Sequence, residues 1–151
     1  MEKEIHIGEL IRKKLKEKER EVTWFARKLD FHPTYIYVIF EKEHINTELL
    51  LEISIVLDYN FFVHYIPLFD YPQSSIVKED IPVGELIRKR LKEEEREITW
   101  FARKLGYEPA NVYKIFQKQH FDTELLLKIS ILLNYNFFIY YYTLFNEYKN
   151  N

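Results

Sequence analysis

The sequence predicts an all-α protein assembled from two tandem copies of one small helical domain, and three observations carry that reading. Sliding the chain on itself by 76 residues aligns 5–69 with 81–145 without a gap, with 42 of the 65 positions identical. Apolar residues in both copies recur at helical spacing, and strand-like alternation is absent. Residues that start and stop helices fall at short, matching intervals in each copy. The predicted domains are 1–70 and 81–151, joined by a linker over 71–80. The stretch entering that linker, from Asp70 through Pro72 to Ser75, is polar and holds a proline.

Four to five short helices fit in each copy. In the second, Val83, Leu86, Ile87 and Leu91 form the apolar stripe of a first helix, with Arg88, Lys89, Arg90 and Glu93 outside it. Thr99 is the expected N-cap of a second helix over 100–105, and Gly106 ends it in a left-handed conformation. Pro109 suits the first turn of a third helix, where its missing N–H costs nothing. Val112, Ile115 and Phe116 face inward from that helix. Asp122 caps a fourth over 123–133, apolar nearly all round and therefore expected to be central. An aromatic fifth helix is expected over 137–145. The first copy repeats the plan with Ile7, Leu10, Ile11 and Leu15, then Thr23, Pro33 and Asn46 at the same boundaries.

The chain has 151 residues, 47% apolar and 17% aromatic, enough for one medium core or two small ones. Charged residues make up 30% and nearly balance, which excludes a disordered polyelectrolyte. Cysteine is absent, so disulfides and thiolate metal sites are excluded. The charged start, Met1-Glu2-Lys3-Glu4, lacks an apolar signal core, so a cytoplasmic protein is expected. Lys128, Asn134 and Asn136 interrupt the most apolar stretch, 125–145, which is expected to form buried helices and not a membrane span. His6, His32, His44, His64 and His120 show no ligand spacing, and the three glycines form no phosphate loop. No nucleophile or paired-carboxylate constellation stands out. A non-enzyme without cofactor or metal is the expectation.

A helix-turn-helix needs a small residue where its helices cross, a positive-φ residue in the turn, and apolar residues at fixed inner positions. Phe101, Ala102, Leu105, Gly106, Tyr107, Val112 and Ile115 supply this pattern in the second copy. Phe25, Ala26, Leu29, Asp30, Phe31, Ile36 and Ile39 supply it in the first. With TWFARKL and NVYKIF around it, the pattern resembles the lambda-repressor-like (XRE-type) helix-turn-helix family. The resemblance covers nearly all of both copies.

That resemblance implies duplex DNA as the partner, with each third helix in a major groove, and a single-chain pseudo-dimer acting as a transcriptional regulator. Carried onto this chain, the reading positions are Pro33, Thr34 and Val38 in the first copy, and Pro109, Ala110 and Lys114 in the second. Because proline reads no base, readout is assigned to Thr34, Tyr35, Asn111, Tyr113 and Lys114. Arg27, Lys28, Lys42, Arg103, Lys104 and Lys118 are implied to face the phosphate backbone; Tyr37 and Tyr113 point outward by spacing, as phosphate contacts or as plain surface tyrosines. The chain departs from the family at Val22 and Ile98, where members often carry a phosphate-gripping glutamine.

The copies diverge most where a reader would, since seven of the nine positions from 30 to 38 differ from 106 to 114. Either each copy reads a different half-site, or the first has lost DNA reading. Residues 1–75 hold 10 Lys+Arg against 13 Asp+Glu, net −3, while the remainder holds 12 against 11, net +1. Affinity carried mainly by the second copy is therefore expected. The cations of its first helix, Arg88, Lys89, Arg90 and Lys92, are interleaved with glutamates and are read as a solvated face. The alternative function is a protein-interaction module that kept the fold and lost the groove-reading surface. The aromatic fifth helices either pair the two copies within one chain or simply finish each core. Trp24 and Trp100 are expected to pack on the first helices.

Overall fold

The computed structural model describes residues 4–68 and 81–151, so the expected linker at 71–80 lies outside the described residues. Among those residues the protein is all-helical, with one isolated antiparallel bridge between Asn46 and Asp122. The first repeat forms α1 (Ile7–Glu17), α2 (Val22–Leu29), α3 (Pro33–Phe40) and α4 (Thr47–Leu57), then a 3-10 segment, Phe61–Leu68. The second forms α5 (Val83–Glu93), α6 (Ile98–Leu105), α7 (Pro109–Phe116), α8 (Thr123–Leu133) and α9 (Phe138–Asn150). The first four helices of each repeat share their bounds at the 76-residue offset.

Local chemistry explains most of these boundaries. Asn46 and Asp122 accept the N–H groups of Glu48 and Glu124 at 2.8 and 2.9 Å, capping α4 and α8. Pro33 and Pro109 open α3 and α7. Asp30 (φ 61°) and Gly106 (φ 73°) end α2 and α6 in the left-handed region.

Four sequence expectations are corrected. Thr23 and Thr99 are not N-caps: Glu21 and Glu97 occupy that position, and the threonines lie in the first turn. Val22 and Ile98 pack against the core from this extra half-turn, and that burial outweighs the threonine's capping preference. The fourth helices are not buried all round. Leu50, Ile53 and Leu57 are fully buried, but Ile131 of α8 is 46% exposed. Arg90 does not sit on a solvated face; it donates to the Leu133 and Asn134 carbonyls at 3.0 and 3.2 Å, closing the C-terminus of α8.

The fifth elements differ from expectation and from each other. The first repeat makes a 3-10 segment containing Pro67, which has no N–H to continue an α-ladder. Thr143 stands there in the second repeat, and α9 runs five residues beyond the expected end, to Asn150.

Close packing inside each repeat depends on one glycine. The N–H of Gly8 donates to the Lys42 carbonyl at 2.9 Å and that of Gly84 to the Lys118 carbonyl at 2.8 Å. A Cβ on either would collide with backbone carbonyls at the end of α3 or α7. The first and third helices therefore touch backbone to backbone.

The repeats are joined by reciprocal contacts. Thr47 N–H donates to the Phe121 carbonyl, and Thr123 N–H to the Ile45 carbonyl, each at 2.8 Å. Their hydroxyls return the exchange, accepting from Phe121 N–H at 3.0 Å and Ile45 N–H at 3.2 Å. Phe62 stacks on Tyr141 at 5.2 Å between ring centroids, and Tyr65 stacks on Phe138 at 4.2 Å. Asn60 reaches the Tyr142 carbonyl, and Asn136 reaches those of Tyr65 and Ile66. Residue i of one repeat thus meets j of the other, and j meets i, as at an isologous interface. Lys149 adds an ion pair to Asp58 that holds the end of α9 against the first repeat. The aromatic segments accordingly do both things considered for them: they complete each core and fuse the two.

Candidate functional site

The candidate site is a pair of exposed helix faces, one on each repeat. α3 follows α2, and α7 follows α6, after three-residue turns. Ala26 and Ala102, only 1% and 2% exposed, lie on the buried faces of α2 and α6 beside Phe25 and Phe101. The turns are closed by Phe31 N–H to the Ala26 carbonyl and Tyr107 N–H to the Ala102 carbonyl, both 2.8 Å. Ile36, Ile39 and Phe40 anchor α3, and Val112, Ile115 and Phe116 anchor α7. The opposite face of each helix is left to solvent.

On α3 that face presents Thr34, Tyr35, Tyr37 and Val38, the last two 58% and 49% exposed. The Thr34 hydroxyl lies 2.8 Å from His32 Nδ1, the nitrogen that also accepts Thr34 N–H in capping the helix. Its hydroxyl is thereby engaged, although the residue itself is exposed. Tyr35 packs edge-on against Phe31 at 4.9 Å. The α3 face carries no cation, and Glu41 follows at its end.

On α7 the exposed side chains are Ala110, Asn111, Tyr113 and Lys114, followed by Gln117. Glu108 precedes the helix without a side-chain cap bond. The side chains of Asn111 and Lys114 have no hydrogen-bond or ion-pair partner among the described residues. An amide and an ammonium therefore stand where the first repeat has a phenol and an isopropyl group.

The flanking cations fall into two groups. Arg27 and Lys28 on α2 and Arg103 and Lys104 on α6 are exposed in the last turns, where positive charge also suits the helix dipole. Lys42 and Lys118 are tied down: their carbonyls hold α1 and α5, the Lys42 side chain is half-buried, and the Lys118 ammonium lies 5.9 Å from the Phe121 ring. Trp24 and Trp100, both half-buried, are covered by Arg20 and Arg96 at 4.4 and 4.3 Å. Arg88 of α5 pairs with Glu85 at 2.9 Å. A cleft of about 410 Å³ beside α3 mixes Lys16 and Arg20 with Glu21 and Glu41 and holds no convergent catalytic set.

Three titratable groups at the junction are displaced from their ordinary values by burial, the Tyr141 phenol upward among them. The Tyr65 phenol is pushed up to about 12. The His120 imidazole is pushed down, against the weaker opposing pull of Glu48 at 3.8 Å.

Sequence reasoning missed the two glycines, the His32 cap and the threonine clasp. GEL after an aliphatic residue, Ile7 or Val83, repeated at both copies, was the one available signal for the glycines. The clasp had none, because its partners are more than 70 residues apart. No protein-family model, curated protein or solved structure matches the chain.

Proposed function

We propose that the protein binds duplex DNA sequence-specifically as a single-chain pseudo-dimer. In this reading each repeat is a lambda-repressor-like helix-turn-helix domain arising by tandem duplication. The whole is a non-enzymatic cytoplasmic transcriptional regulator. The observation that carries the reading is the pairing of two solvent-facing third helices, α3 and α7, on halves joined by reciprocal contacts. A pseudo-twofold arrangement of this kind suits a duplex, whose grooves present two half-sites to one protein.

Asn111 and Lys114 are the leading base-edge groups, as Asn pairs with adenine and Lys with guanine. Thr34, Tyr35, Ala110 and Tyr113 complete the two reading faces. Arg27, Lys28, Arg103 and Lys104 are placed for phosphates, with Tyr37, Lys42 and Lys118 in lesser roles. The second reading, a protein-interaction module, draws on one observation: α3 exposes Tyr35, Tyr37 and Val38 beside Glu41 in a repeat of net charge −3.

Fluorescence anisotropy of labelled duplexes, from random and selected pools and across a salt series, separates the two. A DNA reader binds a selected sequence tightly, and log affinity falls by about 0.9 per phosphate contact for each decade of salt. Absence of binding at low salt rejects the proposal in favour of the interaction module.

A further inference from the structure

We propose that the target is non-palindromic, with a thymine-bearing half-site under α3 and a guanine- and adenine-bearing half-site under α7. The inference rests on the DNA-binding reading above and names the chemistry each face recognises. Thymine alone among the bases carries a methyl group at its major-groove edge, and apolar side chains read it by contact. On α3 the exposed side chains at the reading positions are Thr34, whose hydroxyl is engaged by His32 so that its methyl is the uncommitted group, and Val38. No side chain of α3 carries a primary amide or a cation, so guanine has no bidentate or charged partner there. On α7 the same two register positions are Ala110 and Lys114, with Asn111 between them and free to pair.

The clasp joins the two faces. Thr47, Thr123 and the two aromatic stacks fix the repeats against each other, so the spacing of α3 and α7 is set by the fold. The negative balance of the first repeat fits this assignment. Its half-site is held by methyl contact and by the linkage to the second repeat, with Arg27 and Lys28 as its main phosphate partners.

The test uses the full chain and a duplex selected from a random pool. Thymine is replaced by deoxyuridine, which removes only the methyl, and guanine by 7-deazaguanine, which removes only N7. Each replacement is made in one half-site at a time. Deoxyuridine should weaken binding about fourfold per contacted methyl, at more positions in the α3 half than in the α7 half, where Ala110 is the one apolar reader. The variant Val38→Ala, on the helix surface, should abolish that sensitivity at one position. Loss of N7 should weaken binding about tenfold in the other half, and Lys114→Ala should abolish that effect.

A selected site that is palindromic, with equal analogue sensitivity in both halves, overturns the inference and leaves DNA binding intact. A first half-site with no sequence preference also overturns it, and turns α3 toward a protein partner. No binding of any duplex at low salt rejects the underlying reading itself.

Discussion

The third helices, α3 and α7, show how unevenly two copies of one sequence have diverged. Their inward positions hold Ile36 against Val112, with Ile39 and Phe40 matching Ile115 and Phe116, all within a packed core. Their outward positions exchange Thr34 for Ala110, Tyr35 for Asn111 and Val38 for Lys114. A buried side chain is constrained on every side, whereas an exposed one is constrained only by what it binds. The interior therefore records the fold, and the outer face records the task.

If the interiors are equivalent, matching substitutions should cost the same in both repeats. Gly8→Ala and Gly84→Ala should each destabilise by about 3 kcal/mol, because the new Cβ meets backbone that cannot move aside. Urea unfolding monitored by the tryptophans checks this; a tolerated Gly84→Ala beside an unfolded Gly8→Ala would break the equivalence.

The clasp should be close to symmetric but not fully so. Thr47→Val and Thr123→Val each strand a buried N–H, of Phe121 or Ile45, at a cost of about 1–3 kcal/mol. Thr47 should cost more, since its hydroxyl also lies 3.1 Å from His120 Nδ1. Equal losses in thermal unfolding would show that the histidine contact adds nothing.

The two stacked tyrosines sharpen the contrast further. The Tyr141 hydroxyl donates to the Gln119 carbonyl at 2.5 Å, but the buried Tyr65 hydroxyl has no hydrogen-bond partner among the described residues. Tyr141→Phe should lose about 1 kcal/mol, whereas Tyr65→Phe should be neutral or stabilising. A loss at Tyr65 equal to that at Tyr141 would contradict this asymmetry.

The smallest effect is a pH dependence. Burial lowers the His120 pKa below the ordinary imidazole value of about 6.5, so the fold favours the neutral ring. Below that value the unfolded chain takes up the proton first, so stability present at neutral pH falls as pH drops toward the folded-state value. His120→Gln should flatten the part of the stability profile between pH 7 and 5. An unchanged slope would assign the pH dependence to other groups.

Much of this architecture was legible in the sequence because the signals are local. The periodicity of Val83, Leu86, Ile87 and Leu91 predicted α5, and Asn46, Asp122, Pro33, Pro109 and Gly106 marked helix ends that the structure keeps. The exposed faces of α3 and α7 followed from the same spacing, which is why Tyr37, Tyr113 and Lys114 lie where expected. The start of α2 was missed because Val22 gains more from the core than Thr23 offers as a cap. Arg90 was misplaced because its carbonyl partners belong to a helix 43 residues on.

Helicity, the twice-run pattern and the inward side of each helix are all written in the order of the residues. Those properties depend on residues within one or two turns of each other, where spacing translates directly into geometry. Only the tertiary structure decided that the two cores fuse through Thr47, Thr123, Phe62 and Phe138, and that Phe61–Leu68 winds as a 3-10 segment where α9 is an α-helix. Contacts between residues more than 70 positions apart leave no period in the chain. They are settled by which buried faces fit and which polar groups find partners when the helices meet.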